Sequence, residues 1–145
     1  MQKGRVYLML GDTQNASASL LNAIEKGSVE ANFYLAETYE ELGDTKSADE
    51  YFQKYLDAGI ASSYELYEVG TRLMNRGDYE HAVNYFKTAL EQEEVPNEAS
   101  ILKNMVMAYE GQRDFASARD VLGRYLELNP DDEAANKEMT FLSSR

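Results

Sequence analysis

The chain has 145 residues, 43% of them hydrophobic and 28% charged, the make-up of an ordinary folded protein with a core of its own. Its 14 Lys and Arg face 26 Asp and Glu, and a net charge of −12 opposes binding to a nucleic-acid backbone or an anionic membrane, since both reward clustered cations. With no cysteine and one histidine, disulfide frameworks, thiolate chemistry and multi-histidine metal sites are excluded; no apolar run approaches the roughly 20 residues that cross a bilayer.

Met1-Gln2-Lys3-Gly4 lacks both the apolar stretch of a signal peptide and a helix N-cap residue. Gly4 to Leu10 therefore reads as a helix already under way, and the chain is expected to be a piece of a longer one. Four turn-like segments then punctuate the sequence: Gly11-Asp12-Thr13, Gly43-Asp44-Thr45, Gly77-Asp78-Tyr79 and Gln112-Arg113-Asp114-Phe115. Each aspartate is followed four residues on by an alanine (Ala16, Ala48, Ala82, Ala118), at intervals of 32, 34 and 36 residues. After each alanine, apolar residues recur at three- and four-residue steps, as in Ala82, Val83, Phe86, Ala89 and Leu90, the mark of one buried helical face. Each aspartate is placed to cap the helix that follows, and the glycine before three of them suits a helix end that needs a left-handed residue.

A second helix precedes each turn and carries a small residue with a larger one three on: Gly4 and Tyr7, Ala36 and Tyr39, Gly70 and Leu73, Val106 and Tyr109. Small residues admit a neighbouring helix closely, and large ones fill the adjacent groove. The periodicity predicts helices over 1–10, 13–26, 29–42, 45–57, 62–76, 79–92, 98–110, 115–128 and 131–143, and no strand.

Together these residues resemble the tetratricopeptide repeat, a helix-turn-helix unit of 34 residues. The resemblance covers nearly the whole chain. It rests on the four alanines, the Gly-Asp turns, the large residues Leu20, Phe52, Phe86 and Leu122, and the Leu128-Asn129-Pro130-Asp131 ending. It implies an all-α fold, a right-handed α-solenoid of stacked antiparallel helix pairs. One domain over 1–145 is expected, with units near 1–28, 29–61, 62–96 and 97–130: about three and a half repeats, closed by a capping helix over 131–145. In that helix Asp132, Glu133, Asn136, Lys137 and Glu138 supply a polar outer side, while Ala134, Ala135, Met139 and Leu142 close the core. The chain departs from the family at Tyr55 and Tyr125, where alanine is usual, at Arg113, which replaces the turn glycine, and at the longer loop Glu94-Val95-Pro96-Asn97.

Catalysis needs convergent polar groups, and the sequence supplies no such set. His81 lies beside Ala82 on the outward part of its helix. Glu91, Glu93 and Glu94 lack the spacing of a calcium loop, and no Gly-rich segment runs into the Lys and Ser or Thr of a phosphate loop. The chain is read as a non-enzyme without cofactor or metal.

In the tetratricopeptide family the first helix of each unit lines a concave surface. Projection places Arg5, Leu8 and Met9 there from the first unit, and Glu30, Phe33, Glu37, Glu40 and Glu41 from the second. The third adds Tyr64, Tyr67, Thr71, Met74 and Asn75, and the fourth Ser100, Lys103, Met107 and Glu110. The candidate groove residues are Phe33, Glu37, Tyr64, Tyr67, Met74, Lys103 and Met107. Tyrosine and methionine suit recognition surfaces, and Glu37, Glu40 and Glu41 would steer a basic partner. The expected partner is a protein or peptide segment with apolar anchors and some Lys or Arg, with neither nucleic acid nor membrane insertion. The bland alternative is that Phe33, Tyr64 and Tyr67 pack between helices and the acids serve solubility. Chaperone-binding members of the family hold a C-terminal carboxylate with Lys, Asn and Arg; here the matching surface offers Tyr34, Glu37, Tyr64 and Glu68, with only Lys103 and Asn104 of that chemistry, so this ligand class is not expected. A different reading is a structural segment that self-associates through the helix bearing Arg5, Leu8 and Met9. Cytoplasmic and extracytoplasmic placement, the latter within an anchored bacterial chain, stay equally open.

Overall fold

Residues 1–145 are described by a computed structural model, and they form nine helices without a strand. These are α1 (Gln2–Met9), α2 (Thr13–Glu25), α3 (Glu30–Glu41), α4 (Thr45–Asp57), α5 (Ser63–Asn75), α6 (Tyr79–Leu90), α7 (Glu98–Gly111), α8 (Phe115–Leu128) and α9 (Glu133–Leu142). Every expected helix is present, with its ends within two residues of those read from periodicity. The chain groups into two compact units, Met1–Ala61 with α1 to α4 and Ser62–Arg145 with α5 to α9. Within each unit, helices pack in chain order, each against the next, and the short connections make neighbours antiparallel. None of the helices is long and apolar enough to cross a membrane.

The aspartate turns are one device used four times. Asp12, Asp44, Asp78 and Asp114 cap α2, α4, α6 and α8, each Oδ1 accepting from the backbone N–H three residues on, at 3.2, 3.1, 3.4 and 3.1 Å. Each capping residue's own N–H reaches back 2.9 Å to a carbonyl of the preceding helix, on Tyr7, Tyr39, Leu73 and Tyr109. That six-residue closure requires a left-handed residue just before the aspartate. Gly11, Gly43 and Gly77 take it at φ 71°, 75° and 82°, and Arg113 takes it at φ 62° despite its side chain.

Small and large residues interlock between the paired helices. In the first unit a Cβ on Gly4 would lie 2.5 Å from Leu20 Cγ, so only glycine lets α1 sit this close to α2. Ala16, Leu20, Ala31 and Leu35 are wholly excluded from water around that contact. In the second unit Phe86, Ile101, Leu102 and Ala118 are equally buried. The terminal helix α9 closes that core with Ala135 and Leu142; Met139 is half-buried, and Ala134, expected inside, is exposed.

Candidate functional site

The first unit presents one part of the expected recognition surface. Glu37 is half-buried, and Arg5 on α1 lies over the Tyr34 ring of α3, 4.7 Å from its centroid. Phe33 is only 6% exposed. Its ring meets Phe52 and Tyr55 of α4 edge-on at 5.7 and 5.4 Å, which makes it part of the core rather than an open wall.

The second unit holds the rest. Tyr64 is 58% exposed, and Glu68 raises its phenol above the usual range through negative charge and a hydrogen bond. Tyr67 is half-buried and tilts onto Phe86 at 6.1 Å. Met74 is largely buried. A wide apolar stripe on a first helix serves both its partner helix and the groove, so projection alone does not separate buried residues such as Phe33 and Met74 from open ones. Met107 is 56% exposed, and Lys103 is exposed one turn before it.

Lys103 and Met107 border a defined cleft between α7, α8 and α9, with a volume of about 280 Å³. Val106, Met107 and Leu122 form its apolar floor, and Ala134 and Ala135 line the side contributed by α9. One end is built around Asp132. Its Oδ1 accepts the N–H of Ala134 and of Ala135, both at 3.1 Å, and so caps α9. Its Oδ2 accepts the Tyr125 hydroxyl at 2.7 Å and pairs with Lys103 Nζ at 3.1 Å. Lys103 also lies 4.9 Å from the Tyr125 ring centroid. These donors hold the Asp132 carboxyl far below its usual range, the backbone N–H of Ala135 foremost, then Tyr125 and Lys103. The other end carries Glu110 and Glu138, joined by a hydrogen bond between their carboxyls. Desolvation first, then that bond and the neighbouring charge, push Glu110 up to about 7.

Both residues of carboxylate-clamp chemistry have partners within the chain: Lys103 pairs with Asp132 at 3.1 Å, and Asn104 Nδ2 donates to Thr71 Oγ1 at 2.9 Å. The remaining sequence candidates for chemistry are local. His81 Nδ1 meets the capping Asp78 Oδ1 at 2.8 Å on an exposed turn. No group of three His, Cys, Asp or Glu side chains is placed to hold a metal ion. Sequence reasoning placed Glu110 on the first-helix surface but set Asp132 and Glu138 on the polar outer side of the last helix, whereas both line the cleft. The Asp132 node and the Glu110–Glu138 pair escaped it, because their members lie 7 to 29 residues apart. Only the missing alanine at Tyr125 hinted at them.

Capped helical hairpins packed in chain order within each unit, with small-large interlocks between paired helices, define a helical-repeat protein. The tetratricopeptide repeat family matches at residues 1–63 and again at residues 73–137. The chain belongs to the tetratricopeptide repeat family, with its α-solenoid fold, whose members are protein-interaction modules. It is 26% identical over 144 residues to the type IV pilus assembly protein PilF of Pseudomonas aeruginosa, covering 98% of this chain and 57% of PilF. The solved PilF structure superposes with a TM-score of 0.67 over 97% of this chain and 64% of that one. PilW, a type IV pilus biogenesis factor, gives a TM-score of 0.65 at 25% identity, covering 99% of this chain and 66% of PilW. MamA gives a TM-score of 0.72 at 17% identity over 99% of this chain and 84% of its own, a likeness of fold alone.

Proposed function

We propose that this chain is a docking module for an extended protein segment, working in type IV pilus assembly or a closely similar assembly process. The observation that carries the docking reading is the α7–α9 cleft, an apolar floor with charged ends beside the exposed Met107. Shape, apolar area and a few oriented polar groups are what peptide recognition by a helical repeat requires. The assembly context is supported by the 26% identity to PilF over nearly the full length of this chain. The preferred segment has apolar anchors and basic residues, in keeping with the net charge of −12. Tyr64 and Tyr67, on α5 of the same unit, serve as further contact residues.

The test is site-specific photo-crosslinking in the cell that encodes the chain. A benzophenone residue at Met107 or Tyr64 is expected to give a discrete adduct with a pilus-assembly component, whereas one at Asp120, on α8, is expected to give none. Equal adducts from Asp120 would end the docking reading, and an adduct with an unrelated protein would end the assembly context.

A second reading is self-association through α1, favoured by the 85% exposure of Met9 and 54% exposure of Val6 on that short helix. Sedimentation over a hundredfold concentration range separates the two. A dimer abolished by Met9→Lys would favour self-association, and a monomer throughout would remove it.

A further inference from the structure

The two ends of the cleft are not equivalent. At the Asp132 end, cation and anion are matched, since Lys103 is satisfied by Asp132 and by the Tyr125 ring. At the other end, Glu110 of α7 and Glu138 of α9 line the same cleft, and neither has a Lys or Arg partner; desolvation and the proximity of the second carboxyl raise the Glu110 carboxyl. Between the ends, Val106, Met107 and Leu122 line the cleft, Met107 with most of the exposed apolar surface that an aliphatic stem can cover.

We propose that the α7–α9 cleft is a socket for a single Lys or Arg side chain on an extended segment of a partner protein, whose charged head sits between Glu110 and Glu138. This rests on the docking reading and specifies its ligand. The stem lies over Leu122 and Met107, and apolar neighbours in the segment rest on Val106. An ammonium or guanidinium donates to both carboxylates at once, through several charge-assisted hydrogen bonds. An acidic or purely apolar side chain would leave the carboxyls unpaired or in like-charge contact.

The titratable groups lining the cleft are Lys103 and Glu110 from α7, Tyr125 from α8, and Asp132 and Glu138 from the α9 side. Lys103, Tyr125 and Asp132 bind one another. Glu110 is thus the group whose ionisation the ligand meets. With its carboxyl at about 7, the binding-competent ionised fraction rises about tenfold from pH 6 to pH 8.

The experiment is selection of a displayed library of random 12-residue peptides on the whole chain at pH 8, followed by affinity measurement of synthesised winners. The expected winners carry a Lys or Arg between apolar residues. They bind about tenfold more tightly at pH 8 than at pH 6, and lose at least tenfold when that Lys is replaced by norleucine. The E110Q/E138Q double variant, with its fold verified by circular dichroism, is expected to bind them at least tenfold more weakly and without the pH dependence. If the double variant does not fold, the norleucine comparison and the pH ratio on the unaltered chain decide alone. Winners that bind the double variant equally well, or that need no cation, would overturn the socket and leave the docking reading standing. So would blockage of the cleft by a second copy of the chain, seen as concentration-dependent loss of binding. No winners at all would overturn both.

Discussion

Gly70 on α5 faces the ring of Phe86 on α6 so closely that a Cβ there would stand 2.6 Å from Phe86 Cε1. Helix propensity favours alanine over glycine by about 1 kcal/mol, but overpacking a fixed aromatic costs about 1–3 kcal/mol, so packing wins. Gly70→Ala is therefore expected to lower stability in urea unfolding. Gly70→Ala combined with Phe86→Leu should recover part of the loss, and strict additivity would show that the two residues do not interlock. Ala48 and Ala82, both wholly buried, are expected to respond in the same sense when enlarged to leucine.

Arg113 occupies a position that three sister turns give to glycine. A left-handed conformation costs a residue with a Cβ about 1–2 kcal/mol, while glycine returns about 0.5–1 kcal/mol of that as unfolded-state entropy. Arg113→Gly should therefore stabilise the fold by about 0.5 kcal/mol, and Gly43→Ala should destabilise it. A melting temperature that falls for Arg113→Gly would mean that the arginine side chain makes a contact worth more than the strain.

Glu110 links folding to pH. With its carboxyl raised to about 7, the folded chain holds a proton that the unfolded chain releases near pH 4.5. Stability contributed by this group is present below that pH and is lost as pH rises through 7. Glu110→Gln keeps the hydrogen-bonding shape without the charge. At pH 8 it should be more stable than the parent by about 1–2 kcal/mol, a figure discounted for solvent screening at a partly exposed site. Urea midpoints at pH 5, 6.5 and 8 check this; an unchanged decline in Glu110→Gln would place its origin elsewhere.

Asp132 has the opposite sign. Its carboxyl is lowered by the Ala135 N–H, by Tyr125 and by Lys103, so its contribution is present above the ordinary carboxylate range and is lost as pH falls below it. Asp12, Asp44 and Asp114 follow the same direction, through hydrogen bonds from Asn15, Ser47 and Ser117. Asp132→Ala should loosen α9 at neutral pH, read as faster amide exchange at Ala134 and Ala135. Its stability deficit should narrow as the parent is acidified, and a deficit that widens would contradict the assignment.

The helices and their ends were legible because local rules decide them: an aspartate cap, a left-handed residue before it, and apolar spacing at three and four. The small-large pairing was legible too, since Gly4 with Leu20 and Gly70 with Phe86 share one spacing. The side of a helix that faces a groove was not, as Phe33 and Met74 show. Burial there depends on which neighbours arrive, and Phe33 is covered by two rings from α4. The cleft was half legible: Lys103 and Met107 stood among the candidates. Asp132, Tyr125 and Glu138 join them only when α7, α8 and α9 are packed, and no periodicity encodes that meeting.

The aspartate turns are closed by hydrogen bonds between residues no more than five apart in sequence. Each hairpin can therefore form its corner within a short stretch of chain, before any distant segment arrives. Such a polypeptide has no single obligatory nucleus, and it tolerates gain or loss of a hairpin during evolution with little disturbance to the corners that remain.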